Sequence, residues 1–385
     1  MSAHYRPSSL LEIARVRTGL EDYGDDWFRA PFEALVGFVN REAGLREQEN
    51  GPVERIIASL MDRLKLVQLL KQQPQILDEP IAIAGAIVGM PRTGSTMVHR
   101  LLASSPQLNS PYWWETTFPL PLDGEDPGDA SPRIELAHQT VEYLLKSWPD
   151  FESIDPIDAM AVAEEVILLD KTFLSSSWDS MMHVPSYGFW QAEQDHEPAY
   201  RELKIWLQVL QSQQPHRRGK KWILKTPHHL LGGMGGLVKV FPEARLIMTH
   251  RDPAEVLPSY CSMCASMTIN ASSTYRKEDQ GAYWTARFLD GLKRFDALRS
   301  ELGEGAVFDV HYRNTVSNPV DTGRAAMAAM GLEFTAADAA AMEACVASNA
   351  REKRPKHKYS MEEFGLSIDR IQADFAPYLK GLPAA

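Results

Sequence analysis

Residues 81–96, IAIAGAIVGMPRTGST, decide the fold predicted for this chain. Their first half alternates apolar and small residues, a pattern typical of a strand buried on both faces of a parallel sheet. A glycine-containing turn and the helical pattern MVHRLLA follow. Gly89 and Gly94 have the spacing of a Walker A phosphate loop. Such a loop binds an anion through its backbone N–H groups and the N-terminus of the next helix.

One position departs from the nucleotide triphosphatase pattern. The Walker lysine is replaced by Ser95, and the cation lies earlier, at Arg92. Phosphoryl transfer by that class also needs an aspartate that holds magnesium at the end of a strand. The predicted strands end instead at Gly89, Lys225, Arg251 and Tyr312. The loop is therefore expected to hold a phosphate-like anion with cationic side chains in place of a metal.

Composition narrows the class of protein. The net charge of −11 over 385 residues argues against general nucleic-acid binding. No apolar run reaches 18 residues, so no membrane span is expected, and the N-terminus lacks the apolar region of a signal peptide. A cytoplasmic location is the resulting expectation. Three cysteines are too few for a disulfide scaffold, and the pair Cys261 and Cys264 is expected to pack on a helix face.

The chain is expected to divide into a helical N-terminal cap, residues 1–80, and an α/β domain, residues 81–385. In the cap, apolar residues from Val53 to Leu70 recur at helical intervals between Pro52 and Pro74. This helical surface suits packing on the domain or a contact in a homodimer, and the sequence leaves the oligomeric state open.

Strand signals alternate with helical ones along residues 81–385, which predicts an α/β fold with a three-layer parallel sheet. The strands are expected at 81–89, 222–225, 244–250 and 306–312. Ligands of such sheets bind at the carboxyl ends of the strands. The phosphate loop, Lys225, Arg251 and Tyr312 should therefore lie along one edge.

Three further segments have open interpretations. Tyr112, Trp113 and Trp114 precede Glu115 in a proline-broken loop, and they suit either the wall of an acceptor pocket or packing between cap and sheet. Residues 177–200 are aromatic-rich and are expected to form an irregular lid or acceptor wall. The basic tail around residues 351–358 suits either an anion contact or a solvated face.

Three motifs in order, PRTGST, KTPHHL and THRDPAEVLPS, resemble those of the sulfotransferases that use 3′-phosphoadenosine 5′-phosphosulfate. The resemblance is strongest to the bacterial branch that shares features with tyrosylprotein sulfotransferases. It covers about residues 81–366. The resemblance implies sulfuryl transfer from this donor to an acceptor hydroxyl on a small molecule, lipid or sugar, with no metal.

The resemblance also implies roles for individual residues. The 5′-phosphosulfate loop corresponds to Arg92, Thr93, Gly94, Ser95 and Thr96. The pair that binds the 3′-phosphate corresponds to Arg251 and Ser259, and the other nucleotide contacts correspond to Tyr312, Lys356, His357 and Tyr359. In the implied mechanism Lys225 contacts the bridging oxygen, Arg92 stabilises the sulfuryl oxygens, and Glu115 is the general base. The next candidates for the base are His196, His228 and His229.

Two other functions fit the same residues. The chain could be a phosphate-loop kinase with a degenerate lysine position, or a nucleotide-binding protein without catalysis. The kinase would tolerate loss of Arg251, because ATP has no 3′-phosphate. The binding protein would be indifferent to loss of its base.

Overall fold

A computed structural model describes residues 4–46, 51–126, 128–147, 157–348 and 360–382. Five strands form one sheet. Their bounds are Ile83–Gly89 (β1), Leu108–Asn109 (β2), Lys221–Lys225 (β3), Arg245–His250 (β4) and Val307–His311 (β5).

Helices account for most of the remaining described residues. The cap contains Pro7–Thr18 (α1), Arg29–Phe38 (α2) and Gly51–Gln72 (α3). The helices that follow are Ser95–Ala103 (α4), Trp113–Thr117 (α5), Ser131–Ser147 (α6), Val166–Asp170 (α7), Ser177–Met181 (α8), Pro185–Ala192 (α9), Glu197–Gln213 (α10), Met234–Val240 (α11), Pro253–Thr268 (α12), Lys277–Leu302 (α13), Tyr312–Ser317 (α14), Pro319–Ala329 (α15), Ala336–Ser348 (α16), Ile368–Asp374 (α17) and Ala376–Gly381 (α18). Within the described ranges, no helix is both long and apolar enough to cross a membrane.

The sheet has the order β2-β3-β1-β4-β5, and all its neighbouring strands are parallel. The predicted parallel sheet is thus confirmed. β1 lies at its centre, and all seven of its residues are buried. The edge strand β2 was not predicted, because two residues between prolines carry no alternation that could reveal a strand.

Each face of the sheet packs against helices in a separate apolar cluster. In β4, Leu246 and Met248 join the cluster with α10 to α13, whereas Ile247 joins the one with α4, α15 and α16. The same alternation in β1 and β3 produces three layers, because successive side chains of a strand point to opposite faces. Because all five strands are parallel, their carboxyl ends lie at the same edge of the sheet.

The helical character of the N-terminal segment is confirmed, and α3 begins and ends near the two prolines that predicted it. Side chains of α1 to α3 form one apolar cluster with residues 173–187. The expectation that residues 177–200 are irregular is wrong: this segment contains α8, α9 and the start of α10, and Trp178 and Tyr187 are fully buried. Its role as a lid or acceptor wall stays a prediction.

A buried ion pair connects the N-terminal segment to α10. Arg63 Nη1 lies 2.5 Å from Glu202 Oε2, and both side chains are nearly inaccessible to solvent. Arg63 also donates from Nε to Tyr23 O at 3.0 Å and from Nη2 to Asp25 O at 3.1 Å. A buried charge is tolerated when its hydrogen bonds are satisfied in this way.

Arg63→Met should lower the stability of the protein by about 3–5 kcal/mol, because it leaves Glu202 buried without its partner. Urea denaturation should show the shift, and the double change Arg63→Met with Glu202→Leu should recover most of it. Lys71→Met breaks an ion pair with Asp22 between two half-exposed side chains and serves as the control. Equal shifts for the two single variants would contradict the prediction.

Candidate active site

The loop between β1 and α4 has an unusual backbone. Gly89 and Gly94 have φ angles of 128° and 86°, and Arg92 has a φ of 64°. A Cβ on Gly89 would lie 2.7 Å from Thr249 O, and one on Gly94 would lie 2.8 Å from the Tyr312 ring. Only glycine fits at both positions. The first N–H groups of α4, which begins at Ser95, have no acceptor within the helix and are the groups that bind anions.

Thr93 fixes the loop from inside. Its hydroxyl lies 2.7 Å from both Met90 O and Thr249 Oγ1, and its side chain is buried. This hydroxyl therefore joins the loop to β4. Among the sequence-predicted loop residues, Thr96 is exposed and Arg92 half-exposed, whereas Ser95 is buried.

The structure brings the predicted 3′-phosphate pair next to the loop. Arg92 Nε donates to Ser259 Oγ at 3.1 Å, and Arg251 Nη1 donates to Arg92 O at 3.0 Å. The Arg251 guanidinium stacks 4.1 Å from the centre of the Tyr312 ring. Two arginines, a serine hydroxyl and an aromatic ring thus meet beside one helix N-terminus; the strand-end argument predicted this for the loop, Arg251 and Tyr312.

Lys225 completes this edge of the sheet. Its ammonium donates to Thr96 Oγ1 at 3.2 Å and forms an ion pair with Glu164. The neighbouring Glu165 accepts a hydrogen bond from the Lys225 backbone N–H at 2.9 Å and lies 2.9 Å from His229 Nε2. Burial opposes ionisation of Glu165, but His229 and the Lys225 amide outweigh it and lower the pKa of this carboxyl.

Sequence analysis missed Glu164 and Glu165. Neither glutamate lies at a predicted strand end or in one of the three motifs. The structure has α6 at Ser131–Ser147 and then no helix at 157–165. The available signal was the pair of adjacent carboxylates with apolar residues on both sides, in AVAEEVILL. Such a pair fits an exposed helix face poorly.

The geometry argues against Glu115 as the general base. Its carboxylate accepts from Arg217 Nη2 at 2.7 Å, from Gln214 Nε2 at 2.6 Å and from the Tyr112 backbone N–H at 2.8 Å. Its side chain is fully buried. Burial raises the pKa of Glu115, while Arg217 and the Tyr112 amide act in the opposite direction. No hydrogen bond among the described residues joins Glu115 to the loop or to Lys225. Glu115 caps α5 and neutralises a buried arginine.

The three histidine candidates are also structural. His196 Nε2 lies 2.8 Å from Gln191 O, and burial lowers the pKa of His196 to about 4. His228 accepts a hydrogen bond from the Ser176 N–H at 3.0 Å, and burial lowers its pKa well below the usual range. His229 lies between Glu165 and the Tyr200 hydroxyl. All three side chains are buried.

Three other sets of sequence-predicted residues have different outcomes. Trp114 packs in an apolar cluster with α6, and not between the N-terminal helices and the sheet as the packing alternative predicted. Lys356, His357 and Tyr359 lie outside the described residues. Cys261 and Cys264 are buried free thiols on α12, as expected for helix packing.

Comparison with known proteins defines the class. A sequence model of the sulfotransferase family matches residues 86–336. This match covers more than half of the chain, and the protein therefore belongs to the sulfotransferase family. A search of curated protein sequences finds no match.

Two solved structures are similar over nearly the whole chain. Sulfotransferase STF1 from Mycobacterium tuberculosis H37Rv is 26% identical, with a TM-score of 0.84 over 97% of this chain and 99% of that one. Sulfotransferase STF9 from Mycobacterium avium is 25% identical, with a TM-score of 0.85 over 98% and 97%. Both extend the likeness to the N-terminal helices, which precede the family match.

Gly94→Ala should destabilise the protein more than Gly124→Ala. Both glycines have positive φ angles, 86° and 80°, so each alanine introduces strain of about 1–2 kcal/mol. Only at Gly94 does the new methyl group also collide with a neighbour, the Tyr312 ring; nothing lies within 4 Å at Gly124. Thermal unfolding of the two variants should separate strain from collision. Equal unfolding midpoints for the two variants would show that the Tyr312 ring can move away from the new methyl group at little cost.

Glu115→Ala should lower stability by about 3–5 kcal/mol, since Arg217 would remain buried without its partner. Chemical denaturation of purified protein tests this. Glu142→Ala on α6 removes a carboxylate that pairs with Lys146 on the surface, and it should leave the denaturation midpoint unchanged. A Glu115→Ala protein as stable as the wild type would return Glu115 to the list of possible bases.

Proposed function

We propose that this sulfotransferase uses 3′-phosphoadenosine 5′-phosphosulfate as its donor and transfers the sulfuryl group to an acceptor hydroxyl. The observation that carries the proposal is the chain of contacts from Ser259 through Arg92 to Arg251. It joins a second set of anion-binding groups to the loop. This donor has anionic groups at both its 5′ and 3′ positions, whereas ATP has none at the 3′ position.

The residues present fit the donor. The N-terminus of α4 and the Arg92 guanidinium would hold the 5′-phosphosulfate, and Arg251 with Ser259 would hold the 3′-phosphate. Guanidinium groups suit phosphate because they donate two parallel hydrogen bonds. Lys225 would stabilise the leaving 5′-phosphate: its ammonium has three N–H donors, and the contacts with Thr96 and Glu164 leave one for the donor.

Family membership favours sulfuryl transfer over the phosphate-loop kinase considered from the sequence. The acceptor hydroxyl belongs to a small molecule, a lipid or a sugar in this proposal. A transfer assay with the donor and a panel of such acceptors, read by the mass added to the product, identifies its class. A protein that only binds nucleotide would bind the donor but would transfer the sulfuryl group to no acceptor of the panel.

Calorimetric titration with adenosine 3′,5′-bisphosphate, adenosine 5′-monophosphate and ATP tests the donor. The wild type should bind the bisphosphate most tightly. Arg251→Ala should weaken binding of the bisphosphate by about 10–100-fold, because a charged hydrogen bond contributes about 1.5–3 kcal/mol. The same change should have little effect on the affinity for the monophosphate.

Arg276→Ala removes an exposed arginine that pairs with Glu278 and Asp279, and it should bind all three nucleotides as the wild type does. Tighter binding of ATP than of the bisphosphate, together with indifference to Arg251→Ala, would overturn the proposed donor.

A further inference from the structure

We propose that Glu164 is the general base of the transfer, the group that takes the proton from the acceptor hydroxyl. This inference rests on the proposed function and adds a catalytic residue to it. The contacts that carry it are those of Lys225, whose ammonium lies between Glu164 and Thr96. Carboxylate, ammonium and loop hydroxyl thereby form one continuous row at the carboxyl end of β3 and the first turn of α4.

Accessibility separates Glu164 from the other carboxylates nearby. A base must meet an acceptor that arrives from solvent. The Glu164 side chain retains 32% of its exposure, whereas those of Glu165 and Glu115 retain 0% and 1%. All three carboxylates have ion-pair partners, Arg217 for Glu115, His229 for Glu165 and Lys225 for Glu164, so exposure to solvent is what distinguishes Glu164. Glu164 alone among these three combines contact with Lys225 through its side chain and access to solvent.

The backbone holds Glu164 in place before any substrate binds. Residues 161–163 run beside residues 111–113, with hydrogen bonds from Trp113 N to Ala161 O and from Ala163 N to Pro111 O, both of 2.9 Å. Immediately afterwards Glu165 anchors the segment to the Lys225 amide. Glu164 lies between these two attachments. The backbone on both sides is thus hydrogen-bonded to neighbouring segments, and Lys225 holds the carboxylate, as the preorganisation of a catalytic group requires.

The chemical step balances with these groups. The acceptor oxygen forms a bond to sulfur while the bond from sulfur to the bridging oxygen of the donor breaks. The acceptor proton moves to the Glu164 carboxylate, and the electron pair of the broken bond stays on the 5′-phosphate, beside the Lys225 ammonium. The products are a sulfate ester and adenosine 3′,5′-bisphosphate.

Glu164→Gln tests the role, because glutamine keeps the size and a hydrogen bond to Lys225 but cannot accept the proton. With 3′-phosphoadenosine 5′-phosphosulfate and phenol, kcat should fall by about 10²–10⁴-fold. With 4-nitrophenol at mildly alkaline pH, where this acceptor is largely ionised, the loss should be under about tenfold. A merely structural ion pair would affect both acceptors equally.

The dependence of kcat/KM on pH gives a second readout. The acidic limb reports protonation of an essential base, and it should be present in the wild type and absent in Glu164→Gln. The titratable groups near Glu164 include its ion-pair partner Lys225 on β3 and the adjacent Glu165, and His99 on α4 interacts electrostatically with both of these. Burial lowers the pKa of His99 to about 3, and its ring is hydrogen-bonded to Ser110 at 2.7 Å. Glu115→Gln should keep the acidic limb.

Binding of adenosine 3′,5′-bisphosphate separates this inference from the proposed function. Glu164→Gln should bind it within about threefold of the wild type, since the base is not a donor ligand. Glu142→Gln, which weakens a surface Glu–Lys pair, is the matched control and should turn over normally. Equal losses with both phenols, or a retained acidic limb in Glu164→Gln, would overturn the inference. Failure of the wild type to bind the nucleotide would overturn the proposed function instead.

Discussion

The close approach of β1 and β4 at their carboxyl ends is the constraint on which the site depends. Gly89 lies so near Thr249 that a side chain would meet the backbone oxygen at 2.7 Å. The same threonine is in contact with Thr93, so the loop is held against β4 at two points. The end of β4 then delivers Arg251 to the carbonyl of Arg92. Backbone packing in the sheet, rather than contact among the charged groups, thus determines where the cations meet.

The cations on the two sides of this edge differ in their exposure to solvent. Arg92 and Arg251 remain partly accessible. Arg92 donates to the Ser259 hydroxyl, and Arg251 donates to the Arg92 carbonyl and to the exposed carboxylate of Glu255. Lys225 is nearly buried, and two consecutive glutamates contact it, one through its ammonium and one through its amide. A buried ammonium needs such compensation. The arginine side is accordingly suited to bind anions, and the lysine side to stabilise charge that develops during a reaction.

Much of the fold, and the meeting of the loop, Lys225, Arg251 and Tyr312 at one edge of the sheet, was predictable from the sequence, because the signals are local. Buried parallel strands read as apolar runs, and residues at their ends share one edge. The roles of Glu115 and Glu164 were not predictable in this way. Whether a carboxylate is a base or an ion-pair partner depends on residues far along the chain, Arg217 for the first and Lys225 for the second. β2 was not predictable for a related reason: only its pairing with β3 makes these two residues a strand.

The left-handed backbone of Arg92 has a consequence for the evolution of this protein. At a φ of 64°, glycine would have a backbone conformational energy about 1–2 kcal/mol lower than that of arginine. Position 92 nevertheless carries the guanidinium that donates to Ser259. Selection for stability alone would therefore remove the side chain that we propose contacts the 5′-phosphosulfate. Stability and function therefore favour different residues at position 92. Selection for thermostability without a test of activity should favour replacement of Arg92 by glycine.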